Sequence, residues 1–509
     1  MKLVGSSALT LKDFESIVFK NETIEIEATA LENVNRSYEF LKKFANDKII
    51  YGINTGFGPM AQYKIDDQDL QNLQYNLIRS HCSGSGDVLP HHFVRGILLA
   101  RLNTLLLAKS GVHPSWVLLF QQLINEDVCP VIFQHGGVGA SGDLVQLAHV
   151  ALCLIGEGEV TYKGKMLPAA EVFASLGLKP AQIYLREGLA VMNGTSAMSG
   201  IGLINILRSY QLQEWMLAAS CMINEVVESY EDHFSNTLNE AKLHKGQRHV
   251  ASRMRAILED SLLIKKRADH LYQKTEVKIF KEKVQEYYSI RCVPQILGPI
   301  YDTIVYAEEV LINEINSVND NPVIDIETED VYHGGNFHGD YVALEMDKLR
   351  IAITKSTMLS ERQINFLMNN KINEKLPPFV NLGTLGLNFG LQGVQFTATS
   401  TTAECQTLAT PMYIHSIPNN NDNQDVVSMG TNSALLTHKV IENSFEVIAI
   451  EFWAIAQAVD YLEFAPSLSS TTKQYYQQIR AIAPKFKDDQ IKYPTLKSLN
   501  IFLKNYIKN

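Results

Sequence analysis

The chain of 509 residues carries a formal net charge of −10, with 46% hydrophobic and 20% charged residues. That length supplies an ample core and favours more than one domain. Because no basic block occurs, the composition argues against binding to nucleic acid or to acidic membrane surfaces. The six cysteines are scattered singly, which favours a reduced, cytoplasmic location. His333 and His338 lack the further ligands of a metal site, so no metal is expected.

The N-terminus shows no export signal, because Lys12, Asp13 and Glu15 interrupt any apolar run. The most apolar segment, residues 445–464, contains Glu451 and other acidic residues, and therefore predicts a buried helix rather than a membrane span. Residues 1–200 are predicted to be a mixed portion of short helices and glycine-rich loops. Loops of this kind are where we expect the chemistry.

The segment Gly136–Leu144 reads Gly-Gly-Val-Gly-Ala-Ser-Gly-Asp-Leu. Its glycines allow backbone dihedrals that are closed to other residues. In a sharply bent loop, the Gly142 nitrogen could attack the Ala140 carbonyl carbon and close a five-membered ring. Loss of water from that ring and from Ser141 would leave a conjugated methylidene-imidazolone, an electrophile that ordinary side chains do not supply.

A helix is predicted directly after this loop, over residues 144–155, with Asp143 as its N-cap and Gly156 at its end. The ring would therefore lie at the positive end of a helix dipole. An Ala-Ser-Gly tripeptide taken alone is far more often a plain flexible loop, since tripeptides of small residues occur by chance.

From about residue 203 the chain contains long stretches without Gly or Pro, over residues 203–245, 340–376 and 433–465. In the middle stretch, apolar residues such as Val342 and Met346 recur at helical spacing, which indicates a stripe that faces a bundle. We therefore predict a mostly α fold. Residues 201–509 would form a central antiparallel bundle of long helices with the C-terminal helices, and residues 1–200 would carry the glycine-rich loop.

Three residues outside this loop have side chains that a catalytic or binding site could use. Tyr51 could be a general base if cations or helix N-termini lower its pKa from the usual value of about 10. Arg291 offers a planar fork that binds a carboxylate through two parallel hydrogen bonds. His81 both donates and accepts hydrogen bonds, so it could contact an imidazole or a phenol.

These segments resemble, in order along nearly the whole chain, the blocks of the aromatic amino acid ammonia-lyases, the family of histidine, phenylalanine and tyrosine ammonia-lyases. The resemblance implies an aspartase/fumarase-like fold and a homotetramer with active sites shared between subunits. It also implies a methylidene-imidazolone formed from Ala140-Ser141-Gly142, without an added metal or nucleotide. The matching blocks are Tyr51–Gly58, Gly136–Leu144, Met192–Ser196, Gln285–Gln295, Asn319–Pro322, Gly334–His338, Thr402–Gln406 and Pro418–Asp425.

The resemblance also implies roles for individual residues. Tyr51 and Tyr288 match the family's catalytic tyrosines, and Asn193 and Gly194 match the residues that hydrogen-bond the ring carbonyl. Arg291 matches the residue that binds the substrate carboxylate. The other matched substrate contacts are Gly58, Ser80, His81, Asn193, Gln285, Phe337, Glu404, Asn423 and Gln424.

The positions that govern substrate choice give mixed indications. Ser80-His81 is the pattern of histidine lyases. However, Val145-Gln146 stands where histidine lyases usually carry Ala-Pro, and the Glu-Asp-His that follows the glutamine in those enzymes is missing after Gln424. Taken together, the blocks look most like bacterial tyrosine ammonia-lyases, which implies conversion of L-tyrosine to trans-p-coumarate and ammonia.

Other functions stay open. Histidine ammonia-lyase activity, which yields urocanate, is the second candidate, and phenylalanine is expected to be a slow side substrate. An aminomutase that returns ammonia to the β-carbon would share the prosthetic group. Without the ring, the same helices could serve a cofactor-free lyase of the fumarase kind or a non-catalytic scaffold.

Overall fold

The computed structural model describes residues 1–280 and 283–505, which are mostly helical. The α-helices are α1 (Leu11–Phe19), α2 (Ala28–Phe44), α3 (Leu70–His81), α4 (His91–Leu106), α5 (Pro114–Asn125), α6 (Leu144–Leu154), α7 (Ala169–Leu176), α8 (Glu187–Met192), α9 (Ser196–Val226), α10 (Asn236–Glu240), α11 (Lys245–Leu258), α12 (Arg267–Leu271), α13 (Tyr288–Arg291), α14 (Val293–Ile315), α15 (Asp340–Met368), α16 (Asn370–Asn373), α17 (Gln392–Leu408), α18 (Gly430–Leu462), α19 (Ser470–Ile482) and α20 (Tyr493–Asn505).

The strands are short and form small sheets. They are β1 (Lys2–Val4), β2 (Ile24–Ile26), β3 (Ser85–Val88), β4 (Cys129–Pro130), β5 (Phe133–His135), β6 (Glu159–Tyr162), β7 (Lys165–Pro168), β8 (Val323–Asp325) and β9 (Asp330–Tyr332). β1 pairs with β2 in parallel, whereas the pairs β3–β5, β4–β6, β6–β7 and β8–β9 are antiparallel. The mostly α fold that the sequence predicts is confirmed.

The chain divides into two compact units. Unit 1 comprises Met1–Leu207, Ala307–Asp347 and Pro411–Thr437, and unit 2 comprises Arg208–Tyr306, Lys348–Thr410 and His438–Asn509. The division near residue 200 that the sequence favours stays a prediction. In the described part of the chain, no helix combines the length and the apolar character that crossing a membrane requires.

Three long helices occur where the sequence predicts them, but their ends differ. α9 ends at Val226 rather than near residue 245, because Glu228 adopts a left-handed φ of 54° and the Ser229 N–H donates to the Asn224 carbonyl over 3.0 Å. α15 ends at Met368 rather than at residue 376, since the Asn369 side chain caps the next short helix. A local backbone hydrogen bond therefore ends the first predicted rod, and a polar side chain that bonds to nearby backbone ends the second.

The direction of neighbouring long helices corrects one expectation. In unit 1 the Ser433 hydroxyl donates to the Ala343 carbonyl over 3.1 Å, and the Thr437 hydroxyl donates to the Met346 carbonyl over 2.8 Å. Residue numbers rise together in the two pairs, so α15 and α18 run parallel there. The antiparallel arrangement is wrong for this pair, because a long connection rather than a short turn joins the two helices.

α4 and α9 cross closely in unit 1. A Cβ atom at Gly200 of α9 would lie 2.7 Å from the carbonyl carbon of Gly96 and 2.7 Å from the nitrogen of Ile97. The two helix backbones therefore meet without an intervening side chain. This crossing places α4 beside the N-terminal part of the helix that follows the Asn193-Gly194 turn.

Candidate active site

The loop of residues 138–143 is held in unit 1 by backbone contacts to two distant segments. The Gly139 carbonyl accepts from the Gly339 N–H over 3.1 Å and from the Ser428 hydroxyl over 3.0 Å. The Met429 N–H donates to the Val138 carbonyl over 3.0 Å. The structure thus brings together the loop, the residues next to the 334–338 block and the residues that follow the 418–425 block.

Two side-chain amides donate hydrogen bonds to different atoms of Ser141. Asn193 Nδ2 donates to the Ser141 carbonyl oxygen over 3.0 Å, and Gln424 Nε2 donates to Ser141 Oγ over 2.8 Å. The first oxygen is the one that would become the ring carbonyl, and the second is the one that would leave as water. Asn193, the predicted partner of the ring carbonyl, and Gln424, predicted only as a substrate contact, therefore both lie beside the predicted prosthetic tripeptide.

Gly142 occupies a position that only glycine fits. Its φ is +72°, and an added Cβ would lie 2.1 Å from the Gly194 carbonyl oxygen. The two glycines form a parallel β-bridge, and the Asp143 N–H donates to the Gly194 carbonyl over 2.8 Å. Together with the buried Ala140, this geometry fits a methylidene-imidazolone, because the tripeptide is bent, tightly packed and provided with a donor at its central carbonyl.

Asp143 is the N-cap residue of α6, as predicted, but its side chain makes no capping hydrogen bond. Its fully buried carboxylate accepts instead from the Met198 N–H over 2.9 Å and from the Thr431 hydroxyl over 2.5 Å. Burial raises the pKa of Asp143 to about 6, against the effect of these hydrogen bonds. Asp143 therefore ties the loop to the first turn of α9 and to α18, while the predicted helix itself is confirmed as α6.

The Tyr51 loop also belongs to unit 1. The Gly58 N–H donates to the Tyr51 hydroxyl over 3.4 Å, a long hydrogen bond, and the Tyr51 ring lies edge-on to Phe57. Gln74 Nε2, which is buried, donates to the Gly52 carbonyl over 2.9 Å. The loop is thus anchored next to Tyr51, while the phenol is held only weakly.

Ser80 and His81 end α3. His81 Nδ1 lies 2.9 Å from the Leu77 carbonyl oxygen, which can only accept a hydrogen bond. In a neutral ring Nδ1 therefore carries the proton, and Nε2 is left as an acceptor. An acceptor at this position matches a substrate ring that bears an O–H or N–H donor.

Unit 2 contains four of the predicted residues, namely Gln285, Tyr288, Arg291 and Glu404. Arg291 donates to Gln285 Oε1, and its guanidinium lies 4.7 Å from the centroid of the exposed Tyr288 ring. Asn443 Nδ2 donates to the Glu404 carboxylate over 2.7 Å. Gln285, Tyr288 and Arg291 are therefore neighbours, as a shared role in binding requires.

Phe337 and Asn423 lie in loops of unit 1. Phe337 is partly buried, and the Asn423 N–H donates to the Asn420 carbonyl over 3.2 Å. Their substrate-binding roles stay predictions, as do the roles of all the other matched residues.

One group of described residues has the donor types of a metal site. His91, Asp127 and Cys129 bring ligand atoms within 4.8 Å of one another. Arg95 already donates to the Asp127 carboxylate over 2.6 Å, and burial raises the pKa of the Cys129 thiol to about 12. A cation there would compete with a guanidinium for a carboxylate beside a neutral thiol, so the group gives no reason to revise the prediction of no metal.

The sequence analysis missed several residues around the loop. Arg101, Ser428 and Thr431 have side chains that bond to the loop or to the Asn193-Gly194 turn, and Asn319 Oδ1 accepts from Arg101. These residues stand outside the quoted motifs except for Asn319, for which no role was assigned.

Comparison with known proteins identifies the family. The family model described as aromatic amino acid lyase matches residues 9–481. The chain belongs to the aromatic amino acid lyase family. It is therefore an enzyme of a family of ammonia-lyases and aminomutases that act on aromatic amino acids and use a methylidene-imidazolone prosthetic group.

Individual members of this family are similar to this chain over nearly their whole length. The chain is 37% identical to tyrosine 2,3-aminomutase of Chondromyces crocatus, covering 99% of this chain and 96% of that protein. It is also 37% identical to histidine ammonia-lyase of Bacillus cytotoxicus, with the same shares covered. The crystal structure of tyrosine aminomutase from Streptomyces globisporus superposes with a TM-score of 0.95 at 34% identity, covering 99% of this chain and 96% of that one.

Proposed function

We propose that this member of the family eliminates ammonia from L-tyrosine to give trans-p-coumarate, with the prosthetic group formed from Ala140-Ser141-Gly142. The observation that carries the proposal is the pair of amide donors on Ser141, from Asn193 to the carbonyl oxygen and from Gln424 to the hydroxyl. When formed, the methylidene-imidazolone supplies an electrophilic carbon that turns the substrate amine into a better leaving group.

The chain's own residues would perform the remaining steps. Arg291 binds the substrate carboxylate through its planar fork, with Gln285 beside it. Tyr51 removes a β-proton as the C–N bond breaks, so that the products are an α,β-unsaturated acid and ammonia. Asn193 stabilises the charge that develops on the Ser141 carbonyl oxygen, as a preorganised donor does in an oxyanion hole.

The choice of tyrosine rests on His81 and on two departures from histidine lyases. Because Nδ1 of His81 faces the Leu77 carbonyl, Nε2 is available to accept from the phenol O–H of tyrosine. Phenylalanine offers no such donor and would be slower. Val145-Gln146 and the segment after Gln424 both differ from the histidine-lyase pattern.

Two further functions have specific support. The imidazole N–H of histidine could also donate to His81 Nε2, and a histidine ammonia-lyase is among the relatives at 37% identity. A tyrosine 2,3-aminomutase is equally similar, and it would require the released ammonia to return to the β-carbon. Both functions would use the same donors on Ser141.

The test is a parallel turnover assay of the purified protein with L-tyrosine, L-histidine and L-phenylalanine. Each unsaturated acid is followed by its ultraviolet absorbance, and β-tyrosine is followed by chromatography. Preferential formation of p-coumarate supports the proposal, whereas urocanate or β-tyrosine as main product replaces it by the corresponding alternative. Ser141→Ala is the control, and turnover that survives this substitution would indicate a cofactor-free lyase.

The homotetramer with shared active sites and the cytoplasmic location remain part of the proposal. Exposed apolar side chains on unit 2, among them Leu387, Phe389 and Phe396, are compatible with contact to further subunits. Light scattering of the purified protein measures the assembly directly, and a monomeric mass would contradict the tetramer.

A further inference from the structure

Arg101 is a fully buried residue of α4 whose guanidinium bonds to the end of α8. It donates to the Asn193 carbonyl over 3.0 Å, to the Ala190 carbonyl, and to Asn319 Oδ1 over 2.9 Å. The last carbonyls of a helix have no partners inside the helix and carry a partial negative charge. Arg101 therefore satisfies the end of α8 that leads directly into the Asn193-Gly194 turn.

The turn is also packed tightly against this guanidinium. A Cβ atom at Gly194 would lie 2.1 Å from Arg101 Nη1 and 2.6 Å from Asn319 Oδ1. Through its carbonyl, Gly194 accepts from the Asp143 N–H of the prosthetic loop over 2.8 Å. The turn is thus held by Arg101 on one side and by the loop on the other.

We propose that Arg101 is a positioning residue for the prosthetic group: it holds the Asn193-Gly194 turn so that the Asn193 amide faces the Ser141 carbonyl. This inference rests on the proposed function. Arg101 acts through Asn193, whose Nδ2 lies 3.0 Å from the Ser141 oxygen. Nη2 of Arg101 donates to the Ala190 and Asn193 carbonyls while Nη1 donates to Asn319, an arrangement of two separate NH₂ groups that a single ammonium group cannot reproduce.

Ring formation gives this role a readout that does not depend on substrate. The Gly142 nitrogen bonds to the Ala140 carbonyl carbon, whose oxygen leaves as water with the protons of the Gly142 and Ser141 amides. The Ser141 hydroxyl then leaves as a second water with the Ser141 α-proton. The mature chain is therefore lighter by two water molecules, and mass spectrometry of the intact protein measures the fraction that has closed the ring.

The experiment compares Arg101→Lys with Arg95→Lys in the full-length protein. Arg95 is a matched control, because it lies on the same helix, is 3% exposed, and likewise donates to main-chain carbonyls, those of Ile17 and Ile124. Arg95 bonds to neither Asn193 nor Asn319 in the contacts described for it, and its other partner is Asp127. Both variants should lower the thermal midpoint to a similar extent.

We expect Arg101→Lys to reduce the fraction of chains that lack two waters and to lower kcat by roughly a hundredfold, with little change in KM, as loss of an oriented oxyanion donor does. Arg95→Lys should keep the wild-type kcat and the wild-type fraction of chains that have lost two waters. Arg101→Gln, which retains one amide donor, is the second variant if the Arg101→Lys protein does not fold. Combining Arg101→Lys with Asn193→Ala should be no worse than Asn193→Ala alone, because both act on one hydrogen bond.

The outcomes separate this inference from the proposed function. If the wild-type chain shows no loss of two waters, the prosthetic group and this role for Arg101 are both wrong. If the wild type shows that loss, and Arg101→Lys shows the same fraction of chains that lack two waters and the same kcat, only the role of Arg101 is overturned. Equal effects of Arg101→Lys and Arg95→Lys, or additive effects with Asn193→Ala, would reduce Arg101 to a general structural residue.

Discussion

At the scale of single residues, the Ser141 site shows that the role of a hydrogen-bond donor depends on which atom of Ser141 it contacts. The resemblance to family blocks already implies that Asn193 bonds to the ring carbonyl, but only the folded chain shows that Gln424 donates to the Ser141 hydroxyl. A sequence motif specifies a residue type and a neighbourhood. The direction of its side chain depends on packing from 52 and 283 residues away.

Removing the Tyr51 hydroxyl should abolish most turnover with little effect on folding. In Tyr51→Phe the only described hydrogen bond of the hydroxyl, 3.4 Å from the Gly58 N–H, is lost, and that bond is weak. If Tyr51 is the base, kcat should fall by roughly 10²–10⁴-fold. Steady-state kinetics and thermal unfolding measure the two effects, with Tyr63→Phe, an exposed tyrosine of the same region, as control. Near-normal turnover would assign the base to another residue.

Substrate choice should respond to the ring of His81. In His81→Phe the acceptor Nε2 disappears, so the phenol of tyrosine loses its partner while phenylalanine loses nothing. The ratio of kcat/KM for tyrosine over phenylalanine should fall roughly tenfold or more, which corresponds to one unsatisfied polar group. His81→Gln, which can still accept, should restore part of the preference. An unchanged ratio in His81→Phe would place selectivity elsewhere.

At the scale of elements, helix contacts in unit 1 depend on residues with little or no side chain. α4 carries Arg101 and meets α9 at Gly96 and Gly200. The sequence predicts long helices from their apolar periodicity, but a pattern of periodicity does not say which glycine faces another backbone. It likewise gave the wrong end for α9, because the Asn224 and Ser229 bonds that end it compete locally with the helix.

A methyl group at the crossing of α4 and α9 should destabilise the protein. In Gly200→Ala the added Cβ would lie 2.7 Å from main-chain atoms of α4, which cannot move aside as a flexible side chain can. We expect the free energy of unfolding to fall by about 1–3 kcal/mol, the usual effect of overpacking. Chemical denaturation followed by circular dichroism measures it.

Gly393→Ala is the matched control for this experiment. Gly393 lies in α17, and nothing lies within 4 Å of an added Cβ there. Alanine should therefore be neutral or stabilise the helix by up to about 1 kcal/mol. If Gly200→Ala were as stable as Gly393→Ala, the close helix crossing would be incorrect.

At the scale of the whole molecule, stability should depend on a carboxyl group in the core of unit 2. Glu451 of α18 is fully buried, and burial raises its pKa to about 8, an effect that the Ser360 hydroxyl only partly opposes. On sequence grounds, the presence of this acidic residue in the apolar segment 445–464 argued against a membrane span. With a pKa of about 8, this carboxyl group is mostly protonated at pH 7 in the folded protein.

The sign of this pH dependence follows from the two pKa values. Between the ordinary pKa of 4.5 and about 8, folded chains keep a proton on Glu451 that unfolded chains have lost. The stabilising contribution is therefore complete below pH 4.5 and decreases as pH rises, by about 1.4 kcal/mol per pH unit, until it levels off above the folded pKa.

Glu451→Gln should remove this dependence, because glutamine cannot ionise. The difference in free energy of unfolding between Glu451→Gln and wild type should grow in favour of the variant as pH rises from 5 to 8. Urea unfolding at a series of pH values measures this difference. A constant difference across that range would mean that Glu451 does not keep its proton in the folded chain.

The sequence by itself determined the features that depend on interactions between residues close together in the chain. The Ala-Ser-Gly tripeptide, the helix that follows it and the apolar periodicity of the long helices can all be read from neighbouring residues. Tertiary structure alone decided that the side chain of Asp143 bonds to α9 and α18 rather than to the first turn of α6, that Arg101 lies behind Asn193, and that α15 and α18 run parallel. These features depend on contacts between residues far apart in the chain, such as the 218 residues between Arg101 and Asn319, and such contacts arise only when helices pack.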